Sequence, residues 1–239
     1  STENWQEYDV VGISIIGISQ IIPGLTLARM LKEKYPHLHI TLGGPIFSVN
    51  AGQLIGHPEF FDDFCHSVVT FEGEEPMHRL LSTLKAGDSL YTVPNLLHLD
   101  GREVVQNKER VELRFEELPN PVFDGLPMDK YLSPYPIIPV LQSRGCYWGK
   151  CTFCTHSFVY GHRYGKQKTQ AMVDELENLM KKYNTKYFTF SDEAVSPHSL
   201  NDVSEEMIER GVEICSLALL KFEKVMDEEL FGKMKKAGF

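Results

Sequence analysis

No stretch of this chain stays apolar for the roughly 20 residues that a membrane-spanning helix requires. Its first residues, STENWQEYD, are polar and acidic, without the basic start and apolar centre of a secretory signal. Positive charge is in deficit: 24 Lys and Arg face 33 Asp and Glu, a net charge of −9. Phosphate binding wants a basic face, so this balance argues against nucleic acid as a partner. Cysteine is scarce, with five in 239 residues. An odd number with three in one cluster is not a disulfide scaffold; it reads as metal or redox usage in a reducing compartment, and the expected location is cytoplasmic, with no membrane partner. What is abundant is ordinary, 42% hydrophobic and 24% charged residues, enough for a sizeable core.

The first 88 residues alternate strand and helix patterns. DVVGISIIGIS (9–19) is almost continuously apolar, as expected of a strand covered on both faces, and a helical pattern follows from about Ile21 to Tyr35 with Pro23 in its first turn. HITLGG (39–44) and SVVTF (67–71) read as the next strands, and a helix then places Met77, Leu80, Leu81 and Leu84 on one face. Such repeats imply parallel strands with right-handed crossovers, hence part of a doubly wound α/β sheet. Asp100-Gly101 between two short strands is a hairpin signal, and ELPNPVFDGLPMDKYLSPYPIIP, with six prolines from Pro119 to Pro139, suits a connector. From Ile137 the rhythm resumes: strand IIPVLQ, a helix near 169–183, strand KYFTFSDE, a helix near 199–210, strand EICSLALL, and a helix capped by Asp227. The expected division is 1–88, a partial doubly wound domain; 89–135, hairpin and connector; and 136–239, three βα units.

SRGCYWGKCTFCTH (143–156) carries Cys146, Cys151 and Cys154 at spacing C-x4-C-x2-C, just past the end of an apolar strand. In α/β barrels that end carries the chemistry. Three thiolates on one short loop can grip three corners of an iron–sulfur cube, leaving the fourth iron open to a ligand. Structural zinc is the alternative: with His156 the three cysteines could form a Cys₃His site in a binding module, although only one C-x2-C arm is present. Cys65 and Cys215 lie in apolar surroundings and read as core residues.

The loop resembles that of the radical S-adenosylmethionine (SAM) enzymes, in which an aromatic residue, here Phe153, precedes the last cysteine. This chain has one residue more between its first two cysteines than the usual C-x3-C-x2-C. The resemblance implies a four-iron four-sulfur (4Fe-4S) cluster on Cys146, Cys151 and Cys154, whose open iron takes the amino and carboxylate groups of SAM. Electron transfer then cleaves SAM to methionine and a 5′-deoxyadenosyl radical. It further implies that Phe153 packs near the adenine and that Ser191, Asp192 and Glu193, after the second barrel strand, receive the SAM ammonium. Lys221, at the end of the third strand, would meet the SAM carboxylate. An electron donor such as flavodoxin or ferredoxin is implied, with a small-molecule or peptide substrate that the sequence does not specify.

The N-terminal part resembles the cobalamin-binding domain that precedes the barrel in one branch of this superfamily. The matching residues are Ser14-Ile15-Ile16, Gly43-Gly44 and Glu72-Gly73-Glu74, and Ser14, Gly43 and Gly44 would line part of a corrinoid site. An Asp-x-His-x-x-Gly motif, which supplies a lower cobalt ligand in many such domains, does not occur in the sequence. The expected fold is therefore a partial cobalamin-binding-like, flavodoxin-like sheet followed by the first half of a radical SAM (β/α) barrel, both ends incomplete. The branch includes methyl transfer to unactivated carbon and radical rearrangements, and the sequence does not choose between them.

Overall fold

The computed structural model describes residues 4–111, 114–115, 118–160 and 163–239. It divides into two compact units, Ser1–Leu113 and Arg114–Phe239. Residues 1–3 of the acidic N-terminus, and residues 112, 113, 116 and 117 of the expected connector, lie outside the described residues.

In the first unit the elements run β1 (Val10–Ser14), α1 (Ile21–Lys34), β2 (His39–Gly43), α2 (Pro45–Leu54), α3 (Pro58–Phe64), β3 (Ser67–Val69), α4 (Glu74–Ala86), β4 (Leu96–Asp100) and β5 (Glu103–Gln106). They build one five-stranded sheet in sequence order, with β1, β2 and β3 parallel and β4 and β5 antiparallel. Successive strand residues point to opposite faces. Val68 and Leu97 join the core packed by α1, α2 and α3, whereas their neighbours Val69 and Leu96 join the core packed by α4. Helices thus cover both faces, the doubly wound arrangement expected from the strand–helix alternation.

Several expectations change here. β1 is not covered on both faces: among the described residues it pairs only with β2, at an edge of the sheet, and Gly12 and Ser14 are exposed. Leu81 is 47% exposed while Leu80 is fully buried, so the inward stripe of α4 is Met77, Leu80 and Leu84. The hairpin at Asp100-Gly101 forms, but it extends the first sheet rather than belonging to a connector, with Ser67 in register with His98. A polar seam runs through this sheet. His39 Nε2 lies 2.8 Å from Ser67 Oγ, which donates to Thr41 Oγ1 at 3.0 Å, and the His39 and His66 rings sit 5.2 Å apart.

The second unit continues with β6 (Ile137–Val140), β7 (Ser143–Arg144), α5 (His156–Val159), β8 (Gly165–Lys166), α6 (Thr169–Tyr183), β9 (Tyr187–Phe190), α7 (Pro197–Arg210), β10 (Cys215–Ala218) and α8 (Glu228–Ala237). β6, β9 and β10 are parallel neighbours in that order, the wall of an incomplete barrel. One face buries Ile138, Val140, Phe188 and Phe190 against Met172, Leu176, Val203, Met207 and Leu230 of α6, α7 and α8. The Asp227 cap forms, Leu230 N donating to its Oδ1 at 2.9 Å. The opposite face stays open, with Ile137 48% and Leu217 64% exposed. Cys215 lies on that open face and is exposed, which corrects the expectation that it is a core residue; Cys65 is buried.

The proline-rich stretch belongs to the second unit, and so the expected 89–135 connector is divided between the two units. Phe123 packs edge-on against Tyr183 of α6, whose hydroxyl accepts from Phe123 N at 2.8 Å, and Asp124 pairs with Lys182 at 2.6 Å. Among the described residues, no helix is long and apolar enough to cross a membrane.

Candidate functional site

Chemistry-bearing residues gather at the carboxyl ends of the parallel strands in each unit. In the first unit, Ser14 is in register with Gly43, and Ile15 N donates to Gly43 O at 2.8 Å, so Ser14, Gly43 and Gly44 stand together. Gly44 has φ 108° and ψ 169°, a conformation essentially confined to glycine, and a Cβ there would collide with the Ile15 carbonyl. The backbones of the two loops touch at this point. Ser14 and Ile16 remain exposed beside it, leaving the strand ends open to a bulky ligand. Phe71, following β3, also has positive φ (60°); Ser48 Oγ accepts its N–H at 2.7 Å, and the Arg110 guanidinium lies 3.7 Å from its ring centroid.

In the second unit the chain leaves β6, pairs briefly as β7 with β8, and enters the cysteine loop. Gly145 has φ 87°, and a Cβ there would collide with the Arg163 carbonyl, so the loop returns against its own beginning only because that residue is glycine. A turn bond from Cys154 N to Cys151 O at 3.2 Å closes the other end. All three cysteines are free thiols, Cys151 and Cys154 exposed and Cys146 half-buried, and Phe153 is 88% exposed. Among the described residues, no group of three or more His, Cys, Asp or Glu side chains is assembled that could hold a metal ion. A cubane places each thiolate on a different iron, and three unpaired, accessible thiols on one loop match that donor set.

The loop is tied to the neighbouring strand ends at three points. At its start, Asp192 accepts from Gln142 N at 3.0 Å, from Ser143 N at 2.6 Å and from Ser143 Oγ at 2.5 Å. Burial raises the Asp192 carboxyl above the ordinary carboxylate range, while these donors pull it the other way. In the four-residue gap, Tyr147 Oη donates to Glu223 Oε1 at 2.6 Å, and Lys221 Nζ lies 3.8 Å from the Trp148 ring centroid and 3.3 Å from Glu223 Oε1. Burial first, then the Glu223 carboxylate, raise the Tyr147 phenol, which keeps it a donor. At its end, His156 Nδ1 lies 3.3 Å from Glu193 Oε1, and burial lowers the pKa of His156.

The residues expected to receive SAM thus differ in what they face. Asp192 is only 2% exposed, and both its oxygens are occupied by its own chain, so the structure gives it other partners than a ligand ammonium. Lys221 is engaged by Trp148 and Glu223 rather than standing free. Glu193 is exposed and paired with His156, and Ser191 is exposed and borders a cavity of about 320 Å³ with Leu141 and Arg144. Tyr147, Trp148 and Glu223 were missed in the sequence. The extra residue of the C-x4-C gap was a signal for Tyr147 and Trp148 alone.

No protein-family model matches the chain. Over 234 residues it is 26% identical to an uncharacterized methyltransferase of Pyrococcus horikoshii, covering 96% of this chain and 50% of that protein. It is 23% identical over 243 residues to an anaerobic magnesium-protoporphyrin IX monomethyl ester cyclase of Rubrivivax gelatinosus, with 94% and 42% covered. Among solved structures, the cobalamin-dependent SAM radical enzyme OxsB with aqua-cobalamin and SAM bound superposes with a TM-score of 0.69 at 20% identity, covering 98% of this chain and 35% of that one. The radical SAM methyltransferase TsrM of Kitasatospora setae, with cobalamin and a [4Fe-4S] cluster bound, gives 0.68 at 19% identity, with 98% and 48% covered. The chain has the fold of these cobalamin-dependent radical SAM enzymes, as its resemblance implied, and spans half or less of the length of each of these four proteins.

Proposed function

We propose that this chain, with the fold of the cobalamin-dependent radical SAM enzymes, supplies the cluster-binding and part of the corrinoid-binding portion of such an enzyme. Cys146, Cys151 and Cys154 hold a 4Fe-4S cluster, which when bound supplies the electron for reductive cleavage of SAM. The observation that carries this reading is the loop itself: three free thiols presented at the strand ends on a loop anchored by residues that follow β9 and β10. Phe153, fully outward, offers an aromatic face for the adenine, and Ser191 and Glu193 offer oxygens to the SAM ammonium. Lys221 stands at the mouth and can offer its Nζ to the SAM carboxylate while resting on Trp148. In the first unit, the open strand ends at Ser14, Gly43 and Gly44 take the corrinoid.

The chemistry favoured is methyl transfer, since two of the similar proteins are named as methyltransferases; radical rearrangement is the second reaction of the branch. A small molecule or peptide accepts the methyl group, a flavodoxin or ferredoxin delivers the electron, and the reducing cytoplasm is the setting such a cluster requires.

The test is anaerobic reconstitution with iron and sulfide, followed by absorption and electron paramagnetic resonance spectra with and without SAM. Wild type should gain a broad band near about 400 nm, characteristic of such clusters, and a reduced signal that SAM perturbs; Cys151→Ala should show neither. A colourless protein that retains zinc would replace this reading with the zinc-stabilised module.

A further inference from the structure

We propose that Asp192 is the positioning residue of the cysteine loop, anchoring its first cysteine rather than binding SAM. This inference rests on the loop being the cluster holder. The position follows from topology: Ser191 N donates to Val140 O at 2.8 Å, so β9 stays paired to β6 up to its last residue, and Asp192 comes next. Its carboxylate is therefore delivered beside the point where the chain turns out of β6. There two consecutive backbone N–H groups, Gln142 and Ser143, converge on it, joined by the Ser143 hydroxyl.

A charged group taken out of water needs such partners, and three charge-assisted bonds are what a buried carboxylate can satisfy best. The same bonds serve the loop. Buried N–H groups must be paired, and the Asp192 carboxylate accepts from both of these. Cys146 lies only three residues beyond Ser143, and the intervening chain is held by pairing of β7 with β8 and by the close approach of Gly145 to Arg163. Little slack remains between the carboxylate and the first thiol, so the anchor sets where Cys146 stands relative to Cys151 and Cys154.

The experiment compares Asp192→Asn and Ser143→Ala with wild type, using the full chain. An asparagine keeps the size but turns a donor toward one of the two N–H groups. The first readout needs no metal: the alkylation rate of Cys146 relative to exposed Cys215 in the metal-free protein, resolved by peptide mass spectrometry. Asp192→Asn should raise that ratio about tenfold, the factor that loss of a hydrogen bond to a charged group gives, and Ser143→Ala should raise it less. The second readout is the reduced cluster signal, which should broaden or fall in Asp192→Asn before SAM is added. Should Asp192→Asn fail to fold, the milder Ser143→Ala decides, since both backbone bonds survive in it.

An unchanged alkylation ratio in either folded variant overturns the proposal. So does a variant with a wild-type cluster signal that no longer responds to SAM, because Asp192 would then face the ligand. If wild type itself takes up no cluster, the function proposed above fails, whereas the alkylation ratio still tests the anchor.

Discussion

The two sheets of this chain are built from the same strand–helix repeat, yet they present their strand ends differently. The first has helices on both faces, and its strand ends are shaped by removing side chains: Gly44 lets the β2 loop touch the Ile15 carbonyl. The second is covered on one face only, and its end is shaped by adding charged side chains that grip a loop: Asp192, Glu193, Lys221 and Glu223. Glycine clears room where a large ligand would lie against backbone. Ionisable groups stand where a loop with three thiols is held in one shape.

The strongest way to break this contrast is to put a methyl group where each region relies on glycine. Gly44→Ala combines a glycine-only conformation with a backbone collision, and should cost the first unit about 3 kcal/mol. The measurement is urea unfolding followed by Trp5 fluorescence, and a loss well below this would show that the two loops can part. Gly145→Ala should instead leave the cores intact while abolishing iron uptake on reconstitution; equal damage to both units would erase the distinction.

Acid should separate the units as well. Burial first, then His66 and Lys32, depress the pKa of His39 to about 4 from an ordinary 6.5, so the fold buries the neutral ring. The unfolded chain therefore binds the extra proton. Stability from this site is complete above about pH 6.5 and drains as pH falls toward 4, by about 3 kcal/mol. Unfolding measured across that range should show wild-type stability falling as the pH is lowered, and His39→Asn should lose this part of the pH dependence.

Thiol reactivity sharpens the comparison further. Burial pushes the Cys65 thiol up to about 12, so alkylation of native, metal-free protein should mark Cys146, Cys151, Cys154 and Cys215 and spare Cys65 until denaturant is added. The smallest effect is expected at the clasp on the gap. Trp148→Leu removes the Lys221 contact and should destabilise the second unit by about 0.5–1 kcal/mol, the usual worth of an exposed cation–π pair.

What was legible in the sequence was what periodicity encodes. The strands at 39–43, 137–140 and 187–190, the helices from Ile21 and Thr169, and the turn at Asp100-Gly101 formed where apolar spacing and glycine placed them, whereas of the apolar run 9–19 only 10–14 is strand. α2 and α3 were not foreseen, because each is short, opens on a proline directly after a turn, and buries few residues: Phe47, Ser48 and Ala51 in one, Phe61 in the other. Cys215 was misjudged because an apolar run looks the same whether one face of a strand is covered or two. In the site, the cysteines were visible by spacing, but the partners of Asp192 were not, since no local pattern links a carboxylate to donors so far back in the chain. The clasp of Tyr147 and Trp148 on Glu223 and Lys221 is hidden for the same reason.

The span of that anchor has a further consequence for how the loop comes into being. Ser143 and Asp192 are 49 positions apart, and between them lie the whole cysteine loop, α6 and β9. During synthesis all three thiols emerge well before the carboxylate that shapes their loop. A nascent chain ending at Phe190 would carry all three cysteines of the loop and still lack the bonds to Gln142 and Ser143. Assembly of the site is thus timed by a long-range closure, the crossover that lays β9 beside β6, and not by the appearance of the cysteines themselves.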